Sequence, residues 1–265
     1  MYFVIAMVHA VLTYKIRQVQ RIARRKEARA NTLKLYSTLL SSLSHELRTP
    51  IATIIGASDN LLMNAQRLTE ENKTNLVTEI SLASLRLNQQ VENLLNMSRL
   101  ESGFIQPKKD WCDVNELIYA SIKRVEDHSE EHIIDVQLKE NLPLFKLDIG
   151  LMEQVIYNLV NNAVIYTPAK SVIIIKADCI DNSCIITVED NGKGFPANER
   201  EKVFEKFYRL NYSKTGGTGL GLSIAKGFVE AHNGTITLGS SNSGGAKFTI
   251  TIPTETSYLN DLKHE

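Results

Sequence analysis

The stretch that weighs most in the fold prediction is residues 184–194, which read CIITVEDNGKG. Its first six residues have the β-branched composition of a strand, and the Asp-Asn-Gly-Lys-Gly that follows is typical of a tight turn at a strand end. Similar strand-like runs and helical stretches surround it without strict alternation. We therefore predict an α+β fold in which one sheet packs against helices as an α/β sandwich. The other strand-like runs are Ile133–Leu138, Val172–Ala177, Gly234–Leu238 and Lys247–Ile252, and the helical stretches are Val114–Glu126, Gly150–Val164 and Leu220–His232.

Upstream of this region, the sequence predicts a long helical hairpin. Apolar residues recur at helical spacing over Leu33–Leu61 and again over Leu76–Met97, and Thr69 is a candidate N-cap between the two runs. A lone hairpin would leave part of its apolar stripe in water, so we expect two copies to pair as a homodimeric four-helix bundle. Gly103 is expected to end the second helix, and Pro107–Asp110 to link the hairpin to the sheet domain.

The N-terminal segment holds the charge asymmetry of a chain whose formal net charge is zero. Lys15–Lys34 contains eight basic residues and one acidic residue, and the apolar stretch Met1–Tyr14 precedes it. A bilayer span needs about 20 apolar residues, so this stretch is too short to cross alone. Apolar residues followed by positive charge are typical of a helix leaving the membrane on its cytoplasmic side, although a short amphipathic packing helix stays an alternative. We expect the cytoplasmic part of a bacterial inner-membrane protein, and no nucleic-acid binding, because the basic charge does not cover a domain.

The first motif with chemical potential is SHELRTP, residues 44–50, on the first predicted hairpin helix. The apolar stripe leaves His45 on the outer face. Glu46 could take up an imidazole proton while the other ring nitrogen attacks, and Thr49 lies one turn from His45 on the same face. Taken alone, a His-Glu pair on a helix is more often a solvated surface pair followed, here, by a bend at Pro50.

Two glycine-containing motifs suit a bound nucleotide. At the strand end, Asp190 could accept a hydrogen bond from an exocyclic amine, and Gly192 and Gly194 would let the backbone turn against a flat base. Further on, Gly217–Gly221 opens a predicted helix, whose N-terminal N–H groups and dipole attract phosphate oxygens. This second motif lacks the preceding strand of a Rossmann unit and the Gly-Lys-Ser/Thr of a P-loop.

A pair of asparagines provides candidate metal ligands. Asn158 and Asn162 are four residues apart and share one face of a predicted helix. Their amide oxygens could bind a Mg²⁺ that keeps several waters and bridges phosphates. Two asparagines alone would equally suit a polar helix face.

Together and in this order, the motifs resemble those of the sensor histidine kinases of two-component signalling. The resemblance runs from Ser37 to about Pro253. It implies a dimeric four-helix bundle followed by a GHKL-type (Bergerat-type) ATP-binding sandwich. The matching segments are Ser44–Pro50 for the phosphoacceptor box, Asn158–Thr167 for the asparagine box, Asp190–Gly194 and Gly217–Gly221 for the two glycine boxes, and Phe204–Arg209 for the phenylalanine-centred box.

The resemblance implies a protein histidine kinase that uses ATP and Mg²⁺. It would phosphorylate His45 and pass the phosphoryl group to an aspartate of a response regulator, with Glu46 acting at His45. Thr49 would position a water that dephosphorylates the regulator. Asp190 would recognise adenine, and Asn158 and Asn162 would hold the metal. The implied nucleotide-binding residues are Asn158, Asn162, Tyr166, Asp190, Gly192, Gly194, Arg209, Gly217, Gly219 and Gly221.

One position departs from the family pattern. Ile165 stands where the family often has a basic residue, so we expect Lys206, Arg209 or Lys214 to carry more of the phosphate charge. The apolar exit helix, the basic segment and the phosphoacceptor box also resemble the potassium-responsive Kdp-type sensor kinases. That likeness implies sensor regions upstream of this chain.

Two other functions stay open at this stage: a GHKL-type clamp ATPase, and a nucleotide-binding dimeric scaffold without catalysis. Neither of these functions would use the SHELRTP motif.

The predicted organisation has five segments. They are 1–14, the end of a transmembrane helix; 15–36, a basic linker helix; 37–104, the phosphotransfer hairpin; 108–254, the ATP-binding domain; and 255–265, a C-terminal tail.

Overall fold

A computed structural model describes residues 46–103, 105–125, 132–210 and 218–258, together with residues 2, 7, 9, 13–15, 17, 18, 20 and 44. The chain divides into two units, Met1–Ala83 and Ser84–Glu265. Within the described parts, no helix is both long enough and apolar enough to cross a membrane. Most of the predicted membrane and linker segments, 1–14 and 15–36, lie outside the described residues.

The described residues of the first unit are mainly helical. Residues 46–63 form the described part of helix α1, and helix α2 (Glu70–Glu101) begins in this unit. Thr69 Oγ1 accepts a hydrogen bond from the Asn72 N–H at 3.2 Å, which confirms the predicted N-cap. The glutamates of the first turn, Glu70 and Glu71, favour the positive end of the helix dipole.

The second unit contains a five-stranded sheet in the order β2-β4-β5-β7-β6. β2 runs parallel to β4, and the other neighbours are antiparallel. Alternate residues of β4, β5 and β7 are buried, because side chains along a strand point to opposite faces and only one face meets the helices. The strands are β2 (Ile133–Leu138), β4 (Val172–Ile180), β5 (Ser183–Asp190), β6 (Thr235–Ser240) and β7 (Ala246–Pro253).

In the described part of the chain after α2, three helices accompany this sheet: α3 (Val114–Lys123), α4 (Ile149–Tyr166) and α5 (Gly221–Ala231). α4 is central, since it packs against both α3 and α5. Asp113 caps α3 by accepting the Asn115 N–H at 2.8 Å, and Asp148 caps α4 by accepting the Leu151 N–H at 3.1 Å. The α+β class, a helical region followed by a sheet domain, is thus confirmed. Five α4 side chains are fully buried: Met152, Val155, Ile156, Leu159 and Val160.

A second, three-stranded antiparallel sheet was not expected from the sequence. Its order is β1-β3-β8, with β1 at Asp110–Cys112, β3 at Leu144–Leu147 and β8 at Thr256–Ser257. These strands have two to four residues, too few for a periodic pattern to stand out. β1 begins at Asp110, the last residue of the predicted linker, and β8 lies in the predicted tail.

A buried histidine joins the start of α4 to the end of α5. His232 is fully buried; its Nδ1 lies 2.8 Å from the Phe228 carbonyl oxygen, and its Nε2 accepts the Asp148 N–H at 3.0 Å. These contacts require the neutral ring with its proton on Nδ1. Burial lowers the pKa of His232, and Lys109 acts in the same direction, while the Phe228 carbonyl and Asp148 oppose the shift.

Candidate functional site

The carboxylate of Asp190 lies at the end of β5 and is held by backbone donors. Its Oδ1 accepts the N–H of Gly192 at 2.8 Å and that of Ala246 at 3.1 Å. Burial raises the pKa of Asp190, and these two hydrogen bonds oppose the rise. Within the described part of the chain, Oδ2 accepts no hydrogen bond, so it can accept one from the amine of a ligand.

A turn between β6 and β7 closes over the backbone of Asp190. Ser241 Oγ donates to the Asp190 carbonyl oxygen at 2.7 Å and accepts the Gly245 N–H at 2.9 Å. A Cβ atom on Gly245 would collide with that same carbonyl. Gly194, at φ +62°, has no room for a side chain either, because its Cβ would lie 2.9 Å from the Gly244 carbonyl oxygen. Sequence reasoning found Gly194 but missed Ser241 and Gly245, although the SNSGG run between two strands was a turn signal.

The two candidate metal ligands differ in their surroundings. Asn158 is buried on α4, and its Nδ2 donates to the Gly221 carbonyl oxygen at 3.1 Å, which connects α4 to the first residue of α5. Asn162, one turn later, is half-buried and makes no side-chain hydrogen bond to another described residue. Two amide oxygens spaced one turn apart fit a Mg²⁺ ion that retains waters, since Mg²⁺ prefers few protein oxygens and its own hydration.

The second glycine motif joins the phenylalanine-centred segment at its base. Gly219, at φ +68°, leaves no space for a side chain, because a Cβ would lie 2.8 Å from the Phe207 carbonyl carbon. The Phe207 N–H donates to the Gly219 carbonyl oxygen at 3.1 Å, and Phe207 itself has φ +64°. α5 begins at Gly221, one residue after the predicted start at Leu220. Its N-terminus can attract an anion. Gly217 lies outside the described residues.

The remaining candidates for nucleotide binding lie at the end of α4 and in the phenylalanine-centred segment. Tyr166 is the last residue of α4 and is 45% exposed, and Ile165 beside it is 42% exposed. Arg209 is the last residue of the phenylalanine-centred segment, whereas Lys214 is outside the described part. Lys206, an expected alternative for phosphate charge, instead pairs with Glu101 of α2, with 2.7 Å between Nζ and Oε1.

The phosphoacceptor motif belongs to the first unit. His45 lies outside the described residues. Glu46 and Thr49 are both on the described part of α1, Glu46 half-buried and Thr49 exposed. The Thr49 carbonyl oxygen accepts a hydrogen bond from Thr53 Oγ1 at 3.1 Å.

Two family profiles match the chain. Residues 36–103 match the His Kinase A (phospho-acceptor) domain. Residues 147–256 match the family described as histidine kinase-, DNA gyrase B-, and HSP90-like ATPases. The second family is shared with other ATPases, whereas the first is the phosphoacceptor domain of histidine kinases.

Curated relatives are similar over most of the chain. Sensor protein KdpD of Clostridium acetobutylicum is 36% identical over 226 residues, which are 84% of this chain and 25% of that protein. KdpD of Escherichia coli K12 is 34% identical over 235 residues, covering 88% of this chain and 26% of the relative. Sensor protein kinase WalK of Staphylococcus epidermidis is 31% identical over 221 residues, covering 82% and 36%. The chain thus spans about a quarter of the length of its KdpD relatives.

Solved structures share the fold. The full-length ShkA structure in complex with AMPPNP superposes with a TM-score of 0.63 at 26% identity, covering 83% of this chain and 46% of ShkA. The Acinetobacter baumannii histidine kinase AdeS superposes with a TM-score of 0.59 at 24% identity, covering 80% of this chain and 98% of AdeS. A phosphoacceptor domain and a GHKL-type ATPase domain, in the order predicted from the motifs, therefore assign the chain to the sensor histidine kinase family.

Proposed function

We propose that this chain is an ATP-dependent histidine kinase that phosphorylates its own His45 and then passes the phosphoryl group to an aspartate of a response regulator. The observation that carries the proposal is the hydrogen bonding of Asp190. Two backbone donors hold Oδ1, and Oδ2 is left to accept the exocyclic amine of adenine. The phosphoacceptor profile over residues 36–103 supports His45 as the acceptor.

In the proposed reaction, the protein supplies positioning and charge neutralisation. Asp190 holds the adenine, and the N–H groups at Gly219 and Gly221 meet phosphate oxygens at the start of α5. Glu46 accepts the proton from one imidazole nitrogen of His45 while the other nitrogen attacks the γ-phosphorus. The bond between that phosphorus and the β–γ bridging oxygen breaks, and ADP leaves. Arg209 and Tyr166 contribute near the phosphates.

Magnesium has a role in this proposal through Asn158 and Asn162. These two amides would hold the ion, which would supply positive charge to offset that of the ATP phosphates. The uncommitted amide of Asn162 supports its assignment as a ligand, and the hydrogen bond from Asn158 to Gly221 supports a link between the metal ligands and the phosphate-binding helix.

The phosphohistidine would next donate to a receiver-domain aspartate docked on the hairpin below His45. Thr49, exposed on α1, would orient a water for the reverse task of dephosphorylating the regulator. The similarity to KdpD favours a Kdp-type role for the whole protein.

Homodimerisation and membrane anchoring complete the proposal. Apolar side chains remain exposed on the first unit, including Ile55, Leu62, Met63 and Val77, and pairing two hairpins into a four-helix bundle would bury such residues. Segment 1–14 would anchor the dimer to the inner membrane, and 37–104 and 108–254 would be cytoplasmic.

Incubation of the purified chain with γ-labelled ATP tests the proposal. Label on the protein should be acid-labile and alkali-stable, as a phosphoramidate is, and should move to an added receiver domain. Release of labelled phosphate without any labelled protein would instead favour a clamp ATPase. Nucleotide binding without turnover would favour a scaffold.

A further inference from the structure

Two buried side-chain amides, those of Gln154 and Asn158, form a short hydrogen-bonded relay that includes one of the candidate metal ligands. Gln154 and Asn158 lie one turn apart on α4, and each is 7% exposed. Gln154 Nε2 donates to Asn158 Oδ1 at 3.0 Å, and Asn158 Nδ2 donates to the Gly221 carbonyl oxygen at 3.1 Å. Both amides are therefore committed to directional contacts in a region with little water, where an unpaired polar atom is costly.

A cation sets the direction of this relay. The Arg124 guanidinium lies 4.6 Å from the ring centroid of Tyr157 and 3.1 Å from Glu153 Oε1, and its Nη2 is 3.5 Å from Gln154 Oε1. A guanidinium only donates, so the oxygen of the Gln154 amide must face it. The NH₂ group of Gln154 then faces Asn158, which accepts it through Oδ1.

The same reasoning fixes the Asn158 amide. If this amide were rotated by half a turn, its oxygen would face the Gly221 carbonyl oxygen and its NH₂ group would face that of Gln154. Both contacts would be repulsive. In the observed orientation, Oδ1 keeps one lone pair beyond the Gln154 bond, which an ion can use.

We propose that Gln154 is a positioning residue for the metal-binding amide of Asn158, and that Arg124 maintains the orientation of the Gln154 amide. The proposal rests on the function proposed above, in which Asn158 binds Mg²⁺ beside ATP. Ligands of metals are commonly oriented by hydrogen bonds from a second layer of residues, and losing such a partner typically lowers metal affinity about 10–100-fold. Nothing in the SHELRTP or glycine motifs points to either residue.

The test compares ATP affinity with Mg²⁺ and with EDTA, by calorimetry on the full chain. Gln154→Met keeps the length of the side chain, removes its donor and adds no charge. We expect the affinity gain caused by Mg²⁺ to fall about 10–100-fold, with the affinity in EDTA nearly unchanged. Gln137→Met is the matched control, because it makes the same exchange at an exposed position of β2, where the glutamine amide contacts Asp135 and not the relay, and its Mg²⁺ gain should equal that of the wild type.

Two results would overturn the proposal. Gln154→Met could keep the full Mg²⁺ gain, or it could lose affinity equally with and without the metal, which indicates a general packing role. If that variant does not fold, Arg124→Met at the surface decides, since the proposal requires a smaller loss of the Mg²⁺ gain there. A wild-type chain that binds ATP no better with Mg²⁺ would refute the proposed function itself, and the positioning role with it.

Discussion

Replacement of Asp190 by asparagine would reverse one hydrogen bond of the candidate adenine site while keeping the shape of the side chain. Backbone N–H groups of Gly192 and Ala246 point at Oδ1 from 2.8 and 3.1 Å, so an amide here would place its oxygen at that position. Its NH₂ group would then lie where Oδ2 lies now. Adenine would present an amine to an amine.

The size of the effect follows from the burial of Asp190, a residue that is only 9% exposed. A hydrogen bond to a charged acceptor contributes about 1.5–3 kcal/mol, and an unsatisfied buried donor costs about 1–3 kcal/mol. A combined loss of about 3 kcal/mol corresponds to roughly a hundredfold weaker ATP binding. Guanine has a carbonyl oxygen in place of that amine, so the new NH₂ group would favour GTP and the preference for ATP should fall further.

Competition of ATP and GTP against a fluorescent nucleotide, measured on the full chain, gives both numbers. Urea unfolding provides the control, because the two backbone hydrogen bonds to Oδ1 survive the substitution and the free energy of unfolding should change by less than about 1 kcal/mol. Full ATP affinity with an unchanged ATP/GTP ratio in Asp190→Asn would refute the assigned geometry. So would an equal loss for both nucleotides.

Three further predictions concern packing, pH and catalysis. In a urea titration, Gly245→Ala should lower the free energy of unfolding by about 1–3 kcal/mol, because its Cβ would meet the Asp190 carbonyl. Gly239→Ala, whose Cβ would have its nearest neighbour 4.0 Å away, should stay within about 0.5 kcal/mol of the wild type. Since the pKa of His232 is lowered from 6.5, its contribution to stability is complete above about pH 6.5 and is lost as the pH falls through the depressed pKa. A His232→Gln chain should be less stable at pH 8, and its free energy of unfolding should depend less on pH than that of the wild type; an equal pH dependence would contradict this. Glu46→Ala should slow autophosphorylation by about 10²–10⁴ with ATP affinity retained, whereas Thr49→Ala should mainly slow dephosphorylation of the regulator; parallel losses in both assays would contradict separate roles.

The parts of the fold that the sequence predicted are those with a local signal. β4 and β5 alternate buried and half-buried residues over most of their length, and Asp181 and Asn182 between them take positive φ values of 49° and 55°, as a two-residue hairpin turn requires. The Thr69 cap was likewise readable from its neighbours. Fold class followed from these elements, because alternation and helical periodicity specify which faces are buried.

The missed parts depend on contacts between distant residues. β8 pairs with β3 from more than 100 positions away, and Ser241 reaches Asp190 across 51 positions. No local pattern reports such a partner. The glycine and asparagine motifs were recognised because each is contiguous, whereas the relay from Arg124 through Gln154 to Asn158 combines two elements and became visible only in the structure.

The location of the phosphoryl group on the chain tests the central claim most directly. The full chain would be incubated with ATP and Mg²⁺, digested under alkaline conditions and mapped by mass spectrometry, with His45→Gln treated in parallel. We predict a single phosphohistidine at His45, absent from His45→Gln although that variant binds ATP as tightly as the wild type. Phosphate on Ser44 or Thr49, or comparable acid-labile phosphate on His45→Gln, would contradict the account.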